Sequence, residues 1–412
     1  MNPVVMFLIL AANLAVFAYS ANKRLRLLTV GRPAFRLDRI GERIEGVLRY
    51  AFWQEKMDYY QPAGGAHKLI FAGFIILLLR SIILWGRGFD PSFNAFLFEP
   101  SGVLGRFYEF VKDVVALGVI AGVSVFVYYR TVNKQKRMTL SGEGLVILGI
   151  IFTMMVADMI YDGAAMALHA RQPYLCLNEI KVASEGQCSA IATLVAPLGP
   201  EAHEGFVWYA PAGSSFATAF ATFSPGLLIV LAHAGFWTHA SLVLIFLNIL
   251  PYSKHFHIIT AIPNVFLRDQ EPAGRLRPLE ANGEKLMEVV GAVAEMADPN
   301  AAPVGVARIE HFSWKAILDF YTCTECGRCS DNCPAHRTGK VLSPKHLTLA
   351  LRDHLYGRQE EFVSGAKAKA GAVQSGAVQA GGADATAEAG SNGASAEASL
   401  AAAEAAPTNG ST

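Results

Sequence analysis

Four cysteines, Cys323, Cys326, Cys329 and Cys333, stand in the order C-x2-C-x2-C-x3-C and are followed by Pro334. A cubane iron–sulfur cluster takes three or four thiolates converging on one small volume, and this spacing wraps a short turn whose sulfurs face inward. Zinc is the competing metal, but zinc sites pair two C-x2-4-C knuckles separated by a dozen or more residues, which is a different arrangement. The spacing therefore predicts a 4Fe-4S cluster on these four residues.

Histidines at membrane depth are the second set. His67 opens one long apolar run, His169 lies past the end of another, and His233, His239, His255 and His257 lie on or just beyond a third. A polar side chain is costly in hydrocarbon, and a neutral imidazole there serves as a haem ligand or as a hydrogen-bonded packing residue. His67, His255 and His257 share one membrane boundary, so a b-type haem between His67 and His257 or His255 is geometrically open. The plainer reading makes Lys254, His255 and His257 basic interfacial residues. On one continuous helix His239 and His257 would project from the same face roughly 27 Å apart, although Pro251 interrupts the run. A second haem on His239 needs a partner at similar depth. Leu77 stands about ten residues beyond His67, and His169 and His233 are the substitutes.

Charged residues inside apolar runs are the third set. Arg80 and Asp158 lie about 18 Å and 21 Å from the same boundary, so they are expected to pair, with a haem propionate as a further partner for the arginine. Asp158, Asp162 and His169 share one helical face leading away from that boundary. This suits a proton path to a quinone, and a structural ion pair is the alternative.

The elements that must position these groups are membrane-length. Of 412 residues 52% are hydrophobic and 17% charged, and the net charge of +1 gives no field for nucleic acid. Apolar runs of spanning length fall near Pro3–Tyr19, Lys68–Trp85, Phe110–Tyr129, Gly144–Leu168 and Leu227–Leu250. An interfacial helix is expected before the last, broken off at Pro225-Gly226, with a re-entrant hairpin as the alternative. Lys and Arg crowd the Ala21–Ala66 and Arg130–Arg137 segments and are sparse in Gly86–Arg106 and Ala170–Gly213. The positive-inside bias then puts the amino terminus outside and the cysteine motif in the reducing cytoplasm. Cys176 and Cys188 fall in an outer loop, where a disulfide is permitted. Ala18-Tyr19-Ser20-Ala21 resembles a cleavage site, but no charge precedes the first run and Lys23, Arg24 and Arg26 follow it, so a retained anchor is expected. From about Gly365 the chain is largely Ala, Gly, Ser and Gln without aromatics, the composition of a disordered tail.

Two stretches bring these signals together: Leu250-Pro-Tyr-Ser-Lys-His-Phe-His-Ile-Ile-Thr-Ala-Ile-Pro-Asn-Val-Phe266, and Phe312 to Ala335 around the cysteines, followed by Leu342-Ser-Pro-Lys345. They resemble the heterodisulfide-reductase-related membrane iron–sulfur oxidoreductases, over most of Met1 to Arg358. In these a membrane domain similar to the gamma subunit of respiratory nitrate reductase is fused to a helical ferredoxin domain. The resemblance implies electron transfer in the bacterial inner membrane between a cytoplasmic donor, such as electron-transfer flavoprotein or a dehydrogenase, and menaquinone, through iron–sulfur clusters and haem b. It implies two histidines on the second span and two on the fifth; His67, His239 and His257 match that pattern and Leu77 does not. It also implies a second cysteine motif and cysteine-rich repeats further on, which this sequence does not contain. Cys333 then either closes one cluster with Cys323, Cys326 and Cys329 or works with ligands from a partner chain; a truncated gene product is a third reading.

The expected fold class is an all-α membrane protein: a five-helix transmembrane bundle, a small cytoplasmic helical ferredoxin-like domain and a disordered tail. The expected division is 1–262 for the bundle, 263–310 for a cytoplasmic linker, 311–363 for the 4Fe-4S domain and 364–412 for the tail. The alternative to an oxidoreductase component is a non-catalytic anchor that relays electrons for a separate soluble dehydrogenase. A zinc-binding transporter or sensor is disfavoured, since no internal repeat or paired broken helices are visible.

Overall fold

The computed structural model describes residues 2–177, 182–198, 206–272, 283–296, 306 and 308–365. Five helices in it are long and apolar enough to cross a membrane. They belong to α1 (Pro3–Leu25), α3 (Ala63–Phe89), α4 (Val103–Thr131), α5 (Gly142–Gln172) and α8 (Pro225–Ile249). The shorter helices are α2 (Ile40–Gly46), α6 (Glu185–Val195), α7 (Pro211–Ala219), α9 (His257–Phe266), α10 (Gly283–Ala294), α11 (Trp314–Thr322), α12 (Arg328–Asp331), α13 (Pro334–Arg337) and α14 (Pro344–Gly357). Among the described residues there is no strand. A lone bridge pairs Arg32 with Ser313.

Helix starts follow local chemistry. Asn2 accepts from the Val4 and Val5 amides with Pro3 behind it, and Ser224 accepts from Leu227 ahead of Pro225, so side-chain oxygens satisfy otherwise orphaned amides. The end of α8 departs from the continuous-helix expectation. Leu250–Tyr252 and Lys254–Phe256 are 3-10 turns, and a new helix begins at His257. Pro251 lacks the amide that would continue the ladder, so His239 and His257 stand on different elements. Short α7 ends before α8 as an ordered helix packed on α5 and α4, in place of the alternative hairpin.

Helices approach closely where a side chain is missing. A Cβ on Gly235 of α8 would lie 2.5 Å from the Ala157 carbonyl oxygen of α5. Tyr161, Leu168 and Phe236 pack there with Met6 and Leu84, at the end of the bundle away from the cysteines. The cysteine end has a core of its own, in which Leu27, Ile147, Phe246, Leu250 and Phe256 join Ile317, Leu318, Phe320, Tyr321 and Leu355. The boundary at 262 falls inside α9, and this core continues across it. Pro263–Phe266 completes α9 and α10 occupies part of the expected linker, whereas 273–282, 297–305 and 307 lie outside the described residues. The expected tail lies outside them from Ala366 on.

The ends of the bundle differ in their crosslinks. Cys176 and Cys188 form a disulfide with Cα atoms 5.7 Å apart, beside Ser184 and Gln187, which cap α6 reciprocally. Cys323, Cys326, Cys329 and Cys333 are free thiols.

Candidate functional site

The cysteine loop leaves α11 after Thr322 and turns back on itself through two left-handed residues, Glu325 (φ 59°) and Gly327 (φ 76°). Gly327 is required sterically as well, since a Cβ there would sit 2.1 Å from the Arg137 carbonyl oxygen. Arg137, in the α4–α5 connection, seats the loop. It donates to the Cys326 carbonyl at 3.3 Å, its guanidinium lies 3.9 Å over the Tyr60 ring, and its own carbonyl accepts from Lys345 at 3.2 Å. Glu325 pairs with Arg352 at 3.0 Å and Lys254 at 3.7 Å, and Arg328 donates to the Lys56 carbonyl at 2.7 Å. Burial pushes the Cys323 thiol up, whereas Glu325 is held low because Arg352 and Lys254 outweigh the burial that would raise it.

Arg137, Lys254, Arg328 and Arg352 thus bring cations to the cysteine loop, the setting that offsets the negative charge of bound thiolates. By donor chemistry the loop fits an iron–sulfur cluster. As they stand, however, no three Cys, His, Asp or Glu side chains among the described residues converge closely enough to hold a metal ion.

Beside this loop lie three of the six candidate histidines. The ring centres of His67, on the first turns of α3, and His257, at the start of α9, are 6.4 Å apart with planes tilted 33°. His67 Nδ1 donates to Gln54 Oε1 at 2.9 Å and His257 Nδ1 to the Lys254 carbonyl at 3.0 Å, which makes Nε2 of each the nitrogen that carries the lone pair. Neutral imidazoles with Nδ1 engaged and Nε2 holding its lone pair are the donors that a haem iron would take. By donor chemistry the pair fits a haem. His255 lies 5.9 Å from His257 ring to ring, and its buried Nδ1 has no hydrogen-bond partner. Burial, reinforced by the neighbouring His257 and Lys254, pushes His255 down to about 3. Burial also lowers His257, so both are neutral near pH 7.

The other three histidines are not brought to this group or to one another. His239 is buried on α8, with Nδ1 3.2 Å from the Met154 carbonyl and Nε2 3.3 Å from Ser81 Oγ, and Leu77 is packed in the core one turn from Ser81. His169 is buried at the far end of α5, and His233 is half-buried on α8.

Arg80, Asp158 and Asp162 do meet. Arg80 Nε donates to Asp158 Oδ1 at 2.9 Å, Nη2 donates to Asp162, and Nη1 lies 3.8 Å from Glu109. Lys112 of α4 joins them, donating to Glu109 at 2.6 Å and to Asp162, and standing 3.3 Å from Asp113. Asp113 in turn accepts from the Ala212 and Gly213 amides at the start of α7. His239 Nδ1 is 3.8 Å from Asp158 Oδ1, so this histidine belongs to the charge network. Glu109, Lys112, Asp113 and Gln54 were not singled out from sequence. The signal for Lys112 and Asp113 was there, adjacent charges inside an apolar run; Gln54 carried none.

Fold and site together define, among the described residues, a helical structure with five membrane-length helices and a four-thiol loop seated on one end beside a histidine pair. No family model matches the chain, and no solved structure matches it. It is 26% identical over 354 residues, 86% of its length and 43% of the relative's, to "Probable iron-sulfur-binding oxidoreductase FadF" of Bacillus subtilis (strain 168). It is 27% identical over 376 residues, 89% of its length and 45% of the relative's, to "EtfAB:quinone oxidoreductase" of Syntrophomonas wolfei subsp. wolfei. A stretch of 50 residues, 12% of the chain and 8% of the relative, is 44% identical to "Probable membrane-anchored ferredoxin" of Chromohalobacter salexigens. The chain spans less than half the length of the two relatives that it matches along most of its own.

Proposed function

We propose that the chain is an iron–sulfur electron-transfer component that links a donor on its cysteine face to a quinone in the membrane. Cys323, Cys326, Cys329 and Cys333 would hold a 4Fe-4S cluster, and His67 with His257 would hold one b-type haem, His255 being the nearest alternative ligand. One-electron carriage is the chemistry both groups supply when bound. The observation that carries this reading is the approach of His67 and His257 to 6.4 Å between ring centres, each with Nδ1 already engaged. The relatives' names support an iron–sulfur oxidoreductase, and the second supports quinone and electron-transfer flavoprotein as partners.

The residues of the bundle have their own tasks in this reading. Asp158 and Asp162, with Arg80 between them, would be the carboxylates that relay a proton to or from the quinone, which we take to be menaquinone. Lys254 fixes the His257 tautomer through its carbonyl and faces Glu325 through its amine. We place the cysteine end in the cytoplasm of a bacterium and the bundle in its inner membrane. Support comes from the disulfide at the opposite end, since disulfides persist in oxidising compartments and thiolate clusters need reduced cysteines.

A relay that anchors a separate dehydrogenase, with no quinone chemistry of its own, is the second reading. The two readings separate in a quinol assay on the purified chain. Menaquinol should reduce the b-type absorbance in the wild type and do so far more slowly in Asp158→Asn. Haem that dithionite reduces and menaquinol does not would leave only the relay.

A further inference from the structure

The connection from α1 to α3 folds α2 and the π-helical turn Val47–Phe52 into one rod, closed by a bond from the Trp53 amide to the Leu48 carbonyl at 2.9 Å. Three faces run along it. Arg43, Gly46 and Ala51 are buried, and Arg43 donates to the Phe266 and Arg268 carbonyls at 2.8 Å each, so that face belongs to the protein. Glu42, Glu45 and Arg49 form a polar face. Between these two, Ile40, Ile44, Leu48 and Phe52 recur every fourth residue and are exposed, and Trp53 beside them is 77% exposed. The wider pitch of the π-helical turn offsets the drift that a four-residue repeat would accumulate on an α-helix.

Two observations say what covers the apolar row. The Phe52 ring lies 6.2 Å from that of Phe71 on α3, and the exposed face of α3 continues from there through Phe74, Ile75, Leu78 and Ile82. The row is thus continuous with the surface that a membrane-length helix turns toward lipid. Both ends of the connection are also tied to membrane-length helices, α1 and α3, which hold it at the level of their shared end. An apolar row with a Trp at its edge and a charged face turned away is the pattern of a helix lying in the membrane interface.

We propose that residues 40–53 lie in the headgroup–acyl boundary of the phospholipid bilayer, with Ile40, Ile44, Leu48, Phe52 and Trp53 against lipid and Glu42, Glu45 and Arg49 toward water. The residue that follows is Gln54, whose Oε1 holds His67 Nδ1, so the lipid seat also fixes the residue that orients His67. This surface stands independently of what His67 binds.

The test is fluorescence quenching of the full chain in phosphatidylcholine vesicles, reading Trp53 as the difference between wild type and Trp53→Phe. Acyl chains brominated near the headgroup should lower Trp53 emission about twofold relative to unbrominated lipid, the depth expected of an interfacial helix, while aqueous iodide leaves it nearly unchanged. Quenching by iodide with none from the brominated lipid would overturn the proposal, and so would shielding from both, the outcome for a protein partner or a second copy. Ile44→Trp in the Trp53→Phe background reads the same surface from a second position and keeps the test decisive if one probe disturbs the fold.

Discussion

His67 and His257 come from segments nearly two hundred residues apart, and what brings their rings within 6.4 Å is the break after α8, which returns the chain across the first turns of α3. Each imidazole has its tautomer fixed by one acceptor, the Gln54 side chain for His67 and the Lys254 carbonyl for His257. His67→Ala and His257→Ala should each abolish most of the b-type absorbance while leaving non-haem iron within about a fifth of wild type, read on one purified sample. Retained haem in both variants would move the ligand to His255. The buried network around Arg80 makes a different prediction. Removing one member of a buried charge group leaves its partners uncompensated, at about 3–5 kcal/mol. Arg80→Met should therefore lower the melting temperature well beyond Asp158→Asn, which keeps shape and a hydrogen-bonding atom and should act mainly on quinone turnover. Arg80, Asp158 and the three boundary histidines were readable in the sequence because a charge or imidazole in an apolar run has few reasons to be there. Gln54 was not, since nothing in its neighbours marks a left-handed residue that reaches thirteen positions ahead.

At the scale of elements, the spans followed from apolar length, and their ends moved outward by several residues because capped helices run past the hydrocarbon. The first run, read near Pro3–Tyr19, extends to Leu25 with Lys23 and Arg24 in its last turn. What apolar length could not reveal was the path after Leu250. There a proline and two 3-10 turns redirect the chain, and the outcome depends on Lys254 finding Ser141 at 2.7 Å and the Glu143 carboxylate at 3.3 Å. The seat of the cysteine loop on Arg137 was equally hidden, being a contact between loops almost two hundred residues apart. Gly327 tests it. Gly327→Ala adds a Cβ at a left-handed position, against a carbonyl oxygen at 2.1 Å, so the loop must leave Arg137. Acid-labile sulfide should fall by more than half in that variant, while the helical circular dichroism of the bundle stays as in wild type. Full sulfide retention would show that the seat does not position the thiols.

Across the whole molecule, the cysteine segment and the bundle share one core at one end, and a disulfide closes the other. Tyr321 donates to the Arg24 carbonyl at 3.0 Å, and the Arg24 side chain lies 3.8 Å over Tyr356 and reaches the Pro251 carbonyl at 3.1 Å. Motion of the cysteine loop independent of the bundle is therefore restricted, and amides of α11 should exchange with deuterium as slowly as those of neighbouring α9. The paired Cys176→Ser, Cys188→Ser variant should lose about 2–3 kcal/mol of stability, as closure of a loop of this length implies, with no change in cluster content. The most direct test is an anaerobic reduced-minus-oxidised absorption spectrum of the purified chain, with iron, acid-labile sulfide and haem quantified on the same sample. The expected result is a b-type signal with one haem and about four non-haem irons per chain, the content of a single cubane. Zinc with neither haem nor sulfide would contradict it.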